Sequence, residues 1–300
     1  MSYYRLWVIT VWVISGLTVC NSNDITENVF AAVDEPLENK DRSATILIVE
    51  DNAEIRLLIN QVFNRDYNVI EATNGLQGLD MAAEHIPDVI ISDVMMPEMD
   101  GFTLCHKLKT DERTSHIPVL LLTAKSSQSE QIEGLETGAD IYLTKPFSTK
   151  ILELSIRNLL HAREKLWLKF NEKTTIPEKK EDLSFYKNNI DKEFIINLTQ
   201  IVEEFIDDPE FGVEKLSRKI AMSTPVLYRK LKAVTGLTVN EFIKNQRLQK
   251  AAELLLHADT TVSEAAFAVA FNDTKYFSRE FTKKFGKKPS EYAREGKLNR

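Results

Sequence analysis

Val89-Ile90-Ile91-Ser92-Asp93 is a short apolar run that ends on a carboxylate. Three other runs have the same build, Ile46 to Val49, Val119 to Leu122 and Ile141 to Leu143, and Asn68 to Ala72 is a weaker fifth. Short, continuously apolar segments suit strands buried on both faces of a parallel sheet. Helix-like stretches lie between them, such as Glu54 to Phe63 with Ile55, Leu58, Ile59 and Val62 on one stripe. This alternation predicts an α/β doubly wound, five-stranded parallel sheet, in which ligands sit outside the carboxyl ends of the strands.

The residues at those ends carry the chemistry. Glu50-Asp51, Asp93, Thr123 and Lys145 each close or follow one of the runs. Three clustered carboxylates repel one another unless a cation neutralises them, and an all-oxygen site suits Mg2+, which keeps several of its waters. A carboxylate beside such a metal can attack a phosphoryl group and form an acyl phosphate. Singly these residues read as turns, caps or loops; their ordered occurrence carries the reading.

Four segments resemble the receiver domain of two-component response regulators: Ile-Leu-Ile-Val-Glu-Asp-Asn (46–52), Ser-Asp-Val-Met-Met-Pro-Glu-Met-Asp-Gly (92–101), Leu-Leu-Thr-Ala-Lys (121–125) and Lys-Pro-Phe (145–147). The resemblance, over about 45–160, implies a flavodoxin-like fold and phosphorylation on Asp93. Asp51 would bind Mg2+ directly and Glu50 through water, with Asp93 and the backbone carbonyl of Met95 completing the protein ligands. Lys145 would pair with the phosphoryl oxygens, Thr123 would swing its hydroxyl onto them, Tyr142 would move with that threonine, and Lys145-Pro146 would be cis. For Thr123 a backbone cap and for Tyr142 a core position stand beside these roles.

Charge divides the chain. Residues 211–300 carry 18 Lys and Arg against 9 Asp and Glu, a balance of +9, so residues 1–210 hold −16 of the chain's net −7. A basic module fits a polyanionic partner, although a solvated lysine face has the same composition. Val213, Leu216 and Ile220 form a helical stripe, Met222-Ser223 a turn, and Thr224 to Val234 a second helix with Pro225 in its first turn. The pattern recurs: Thr261-x-x-Glu264 is a capping box opening Val262 to Ala270, and beyond Phe271-Asn272-Asp273 comes a helix with Phe277, Phe281 and Phe285 as its core face. Thr238-x-x-Glu241 opens a long helix between the two units, to about Ala258.

An all-α region of two helix-turn-helix units on one rigid helix could set recognition helices into successive major grooves, roughly 34 Å apart. The stretch 195–297 resembles the AraC-family DNA-binding domain, most specifically in Tyr-Phe-Ser-Arg-Glu-Phe (276–281) and Phe-Gly-Lys-Lys-Pro-Ser-Glu-Tyr (285–292). The resemblance implies that Thr224, Pro225, Tyr228 and Arg229 face bases in the first unit, and Thr274, Lys275, Ser278 and Arg279 in the second. Lys232, Lys283 and Lys284 would touch phosphates. Ala270 departs from the family, which commonly has glycine there. For Arg229 and Arg279 a solvated face is the competing reading.

The expected organisation is an N-terminal hydrophobic segment and polar linker (1–43), a receiver (44–163), a helical extension and linker (164–194) with a mobile connector at 171–191, and the DNA-binding domain (195–300). Cys20 and Cys105 form no CxxC, so neither zinc nor a disulfide framework is indicated. The apolar run Leu6 to Val19 is short for a membrane span and long enough for a signal core. It leaves open an anchor tethering a cytoplasmic body to the inner membrane, a mistaken gene start, or a remnant of a longer gene.

The pairing of modules resembles the C-terminal end of hybrid two-component sensors of Bacteroides-like bacteria. Residues 1–44 show no phospho-accepting histidine box or nucleotide-binding glycine motif, so phosphate is expected in trans, from a histidine kinase or a small phosphodonor. The expected function is a phosphorylation-controlled transcriptional regulator that binds double-stranded promoter DNA, with a homodimer as a further expectation. The alternative is a phosphate sink or truncated remnant that binds a kinase without regulating a promoter. An enzyme acting on external phosphoesters is not expected, because Met95, two residues past Asp93, cannot serve as a general acid.

Overall fold

The computed structural model describes residues 44–124, 138–172, 183, 184, 186, 188–257 and 260–298. Strands β1 (Thr45–Val49), β2 (Asn68–Ala72), β3 (Val89–Asp93), β4 (Val119–Thr123) and β5 (Ile141–Thr144) form one parallel sheet in the order β2-β1-β3-β4-β5. The weak fifth run is β2, an edge strand, which explains its mixed burial.

Strand alternation divides the sheet's side chains between two cores. Leu47, Val49, Ile90, Val119 and Leu121 pack on α2 (Gly75–His85) and α3 (Gly101–Thr110) through Ala82, Leu104 and Leu108. Ile46, Ile48, Val89, Ile91, Leu120 and Leu122 pack on α1 (Ala53–Phe63) and α4 (Thr149–Glu172) through Ile59, Phe63, Leu152 and Ile156. Being buried on both faces, the three central strands are apolar on both sides over residues 46–49, 89–91 and 119–122, with polar residues only at their ends. The expected doubly wound sheet is the one observed.

The helical half comprises α5 (Asn189–Glu204), α6 (Val213–Lys219), α7 (Thr224–Thr235), α8 (Val239–His257), α9 (Val262–Ala268), α10 (Thr274–Phe285) and α11 (Pro289–Leu298). α6–α7 and α9–α10 are the two helix-turn-helix units. α8 serves both cores: Val239, Phe242 and Ile243 enter the first, and Leu248, Ala251, Ala252 and Leu255 the second, with Phe271, Phe277 and Phe281. Thr261 and Glu264 form the expected capping box, and Thr238 and Glu241 exchange the equivalent bonds.

Both units make the same turn. The Met222 N–H donates to Ser217 O at 3.1 Å, and the Phe271 N–H donates to Ala266 O at 3.0 Å. Such six-to-one closures put the intervening residue in the left-handed region. Ala221 (φ 57°) and Ala270 (φ 59°) occupy that place, so α9 ends at Ala268, before the expected Ala270.

The expected boundaries at 163 and 195 fall inside α4 and α5. The far end of the expected connector is anchored, because Leu183 and Tyr186 are buried in the first helical core. Residues 6–19, and most of that connector, lie outside the described residues. Among the described residues, no helix is long and apolar enough to cross a membrane.

Candidate functional site

Strand register brings the chemistry together. Val49 pairs with Ser92, Asp93 with Leu122, and Thr123 with Thr144, so Glu50, Asp93, Thr123 and Lys145 emerge along one edge. Backbone bonds carry the ladder one step further, from Glu50 N–H to Ala72 O (3.1 Å), Val94 N–H to Leu122 O (2.9 Å) and Lys145 N–H to Thr123 O (2.7 Å). Asn52 caps α1 by accepting from the Glu54 and Ile55 N–H groups, which fixes the turn that presents Glu50-Asp51. Gly101 lets α3 start against the site, since a Cβ there would lie 2.2 Å from Asp93 O.

Carboxylate oxygens of Glu50, Asp51 and Asp93 lie within 4.8 Å of one another. Glu50 is 1% exposed and Asp93 6%, whereas Asp51 is open to solvent. Lys145 Nζ is 2.9 Å from Glu50 Oε2 and 2.9 Å from Asp93 Oδ2. Asp93 Oδ1 accepts from the Val94 N–H at 2.8 Å, which leaves Oδ2 facing Lys145. Burial pushes the Glu50 carboxyl above its ordinary range, opposed by Lys145. Burial also works against the charge of Lys145, but the two carboxylates outweigh it and hold its pKa above the ordinary value.

An all-oxygen set of this spacing, with an exposed carboxylate at its mouth, fits a hard divalent cation. Met95, two residues past Asp93, is 67% exposed. Thr123 is half-buried at the end of β4, and Tyr142 is half-buried against the core of α2 and α3, so its ring is at least partly a packing group. The Lys145-Pro146 peptide bond is cis.

On α7, the expected first recognition helix, Pro225, Arg229 and Lys232 are exposed, while Thr224 and Tyr228 are half-buried. On the second, α10, Lys275 and Arg279 are exposed and Thr274 and Ser278 half-buried. The Arg279 side chain is 72% exposed and lies over the Tyr276 ring. Lys284 departs from the expected phosphate-facing role: its Nζ donates to Asn245 O at 2.8 Å, and burial lowers its pKa to about 8. Lys283 stays exposed.

Sequence reasoning missed a junction between the two halves, which lie within one unit from Arg42 to Arg300. The last carbonyls of α7 accept from side chains outside it. Ala233 O takes Arg163 Nε (2.9 Å) and Trp167 Nε1 (2.8 Å), Val234 O takes the Tyr186 hydroxyl (2.5 Å), and Thr235 O takes Asn171 Nδ2 (3.3 Å). Arg163 also reaches Asp88 Oδ1 at 2.8 Å, just before β3. Lys230, on the opposite side of α7 from solvent, is fully buried over the Phe194 ring, donates to Glu112 O, and lies 3.8 Å from Asp191 Oδ1. Asp191 accepts from the Ser115 hydroxyl at 2.8 Å. A lysine in a basic recognition helix gives no local sign that it is buried.

The family comparisons agree with this architecture. Residues 46–157 match the response regulator receiver domain and residues 216–295 a helix-turn-helix domain of the AraC type. "Histidine kinase P4" of Formosa agariphila is 41% identical over 261 residues, 87% of this chain and 19% of that protein. "Response regulator PleD" of Caulobacter vibrioides is 48% identical over 118 residues, covering 39% of this chain and 26% of the relative. "DNA-binding dual master transcriptional regulator RpaA" of Synechocystis is 40% identical over 122 residues, covering 40% and 51%. The receiver of a Syntrophus aciditrophicus signal transduction histidine kinase, a solved structure, is 37% identical over 40% of this chain and 91% of its own, with a TM-score of 0.39.

The chain therefore joins a response regulator receiver domain to an AraC-type helix-turn-helix domain. It spans about a fifth to a half of the length of these curated relatives.

Proposed function

We propose that this protein is a phosphorylation-controlled DNA-binding regulator that takes a phosphoryl group on Asp93. The observation that carries this reading is the meeting of three carboxylates within 4.8 Å with a lysine 2.9 Å from Asp93. Glu50, Asp51, Asp93 and the Met95 carbonyl would hold Mg2+. When bound, Mg2+ supplies the positive charge that offsets the carboxylates and the incoming phosphoryl oxygens.

Asp93 Oδ2 attacks the phosphorus of a phosphohistidine on a kinase, or of a small acyl phosphate. The new O–P bond replaces the bond to the donor's nitrogen or oxygen, and the donor leaves with that electron pair. Lys145 sits where a phosphoryl group on Oδ2 would arrive and neutralises it there. Thr123 donates its hydroxyl to the same oxygens, and Tyr142 follows the threonine. Met95 offers no acid or base, so the acyl phosphate persists long enough to act as a signal.

Output comes from the basic helical half, through Arg229 and Arg279 reading base edges and Lys232 and Lys275 beside them contacting the backbone or bases of promoter DNA. A histidine kinase or small phosphodonor as the source of phosphate, and a homodimer, complete the proposal. Its test is duplex binding by wild type and Asp93→Asn, with and without acetyl phosphate and Mg2+. Stimulation in the wild type that is lost in Asp93→Asn is expected; equal stimulation of both would overturn the mechanism.

A further inference from the structure

The two recognition helices stand in different surroundings. α10 presents Lys275 and Arg279 to solvent, and among the described residues its side chains bond to Lys244, Asn245 and neighbours within the helix, all in the helical half. α7 is seated on the receiver. Arg229 Nη1 donates to the backbone carbonyl of Glu84, in the last turn of α2, and Lys230 on the next position donates to the carbonyl of Glu112. Arg163 and Trp167 of α4 hold the other end of α7. A helix in a major groove needs a phosphate wall on each side of it, and the groove is only about 12 Å wide. Receiver atoms already lie against the Arg229 guanidinium, where one of those walls would pass.

We infer that, in the arrangement described here, the chain engages DNA through its second recognition helix alone, the first being docked on the amino-end edge of the receiver sheet. This inference rests on the proposed DNA-binding function and adds how the binding is divided between the units. The receiver carbonyls that hold α7, those of Glu84 and Glu112, precede β3 and β4, as do Asp88 and Ser115, which hold Arg163 and Asp191 beside it, whereas Asp93 lies at the far end of β3. Five residues of strand separate the two edges, roughly 16 Å.

α4 is continuous between them. Its first turn follows Lys145-Pro146-Phe147, Leu152 and Ile156 lie in the receiver core, and Arg163, Trp167 and Asn171 hold the carbonyl end of α7. A shift of α4 at its Lys145 end thus acts on the clamp, and freeing α7 adds a second groove contact one helical turn away.

The experiment uses the full chain and a duplex selected with it from a random-sequence library in the presence of acetyl phosphate and Mg2+, so that both half-sites are represented. Wild type, Arg163→Met and Asp191→Asn are compared by hydroxyl-radical footprinting and by affinity for duplexes with either half-site scrambled. Arg163 and Asp191 belong to the clamp and not to the DNA-facing set. Without a phosphodonor, wild type is expected to protect one half-site, and scrambling the other half should change its affinity less than about twofold. Both variants should protect two half-sites, with scrambling of the added half costing roughly tenfold. Loss of their binding on Arg279→Ala shows that the variants remain folded and bind in the intended way.

A two-groove footprint from the unphosphorylated wild type, unchanged in both variants, would overturn the inference while leaving the function intact. Absence of Arg279-dependent duplex binding in every form would instead overturn the proposed function itself.

Discussion

Lys145 Nζ lies 2.9 Å from Asp93 Oδ2. The same nitrogen is 2.9 Å from Glu50, whose carboxyl is almost fully buried and held above its ordinary pKa by that burial. One cation therefore serves two acids, and a divalent ion entering the cluster meets a carboxyl whose pKa burial raises and Lys145 lowers.

Protons compete with the metal for that carboxylate, so Mg2+ affinity is expected to weaken as pH falls through the raised pKa of Glu50. In the metal-free protein the sign for stability is opposite: a raised carboxyl pKa favours the fold at low pH and loses that contribution as pH rises through it. Glu50→Gln should flatten both profiles. Isothermal titration with Mg2+ across the acidic range checks the first, and urea unfolding without metal the second.

Ala221 and Ala270 adopt φ 57° and 59° at the two equivalent turns. A left-handed conformation costs a residue with a Cβ on the order of 1 kcal/mol. Ala221→Gly and Ala270→Gly are each expected to raise unfolding stability by about that amount, less the entropy glycine restores to the unfolded chain. Chemical denaturation of the two variants and their double gives the values, which should add because the turns belong to separate cores.

Lys230 is fully buried, with Asp191 as its carboxylate. Burial raises the Asp191 pKa and lowers that of Lys230, each partly opposed by the other. Removing one member strands the other, at about 3 kcal/mol, whereas an apolar pair can be nearly neutral. Asp191→Ala should destabilise strongly, and adding Lys230→Met should recover much of the loss; a double-mutant cycle in urea measures the coupling.

His116 is half-buried, and both its ring nitrogens are sealed from solvent and unpartnered. Burial, and then the charges of Arg163, Lys230 and Lys109, depress its pKa well below 6.5. The unfolded chain takes up a proton near 6.5 that the folded chain refuses, so stability is expected to fall as pH drops below that value, by up to roughly 1.4 kcal/mol per pH unit. His116→Phe should remove this slope, read from unfolding midpoints at a series of pH values.

The receiver half was legible because its strands are buried on both faces, so apolar runs marked them and the residues at their ends marked the site. Register then required Glu50, Asp93 and Lys145 to converge, and the distances follow. The helix-turn-helix units were legible through caps and spacing. The junction was not: Asp191 and Ser115 are 76 positions apart, and nothing local distinguishes buried Lys230 from exposed Arg229 beside it. The helical extension past 163 was legible as helix, but nothing local showed that Arg163 at its start pairs with Asp88. Lys284 misled for the same reason, a basic side chain whose partner is a distant backbone carbonyl.

Phosphorylation of Asp93 is the central claim, and intact-protein mass spectrometry after incubation with acetyl phosphate and Mg2+ tests it most directly. One added phosphoryl group is expected, lost on treatment with hydroxylamine, mapped to Asp93, and missing from Asp93→Asn and from samples in which EDTA removes the metal. A phosphoryl group that forms equally on Asp93→Asn, or that needs no divalent ion, would contradict it.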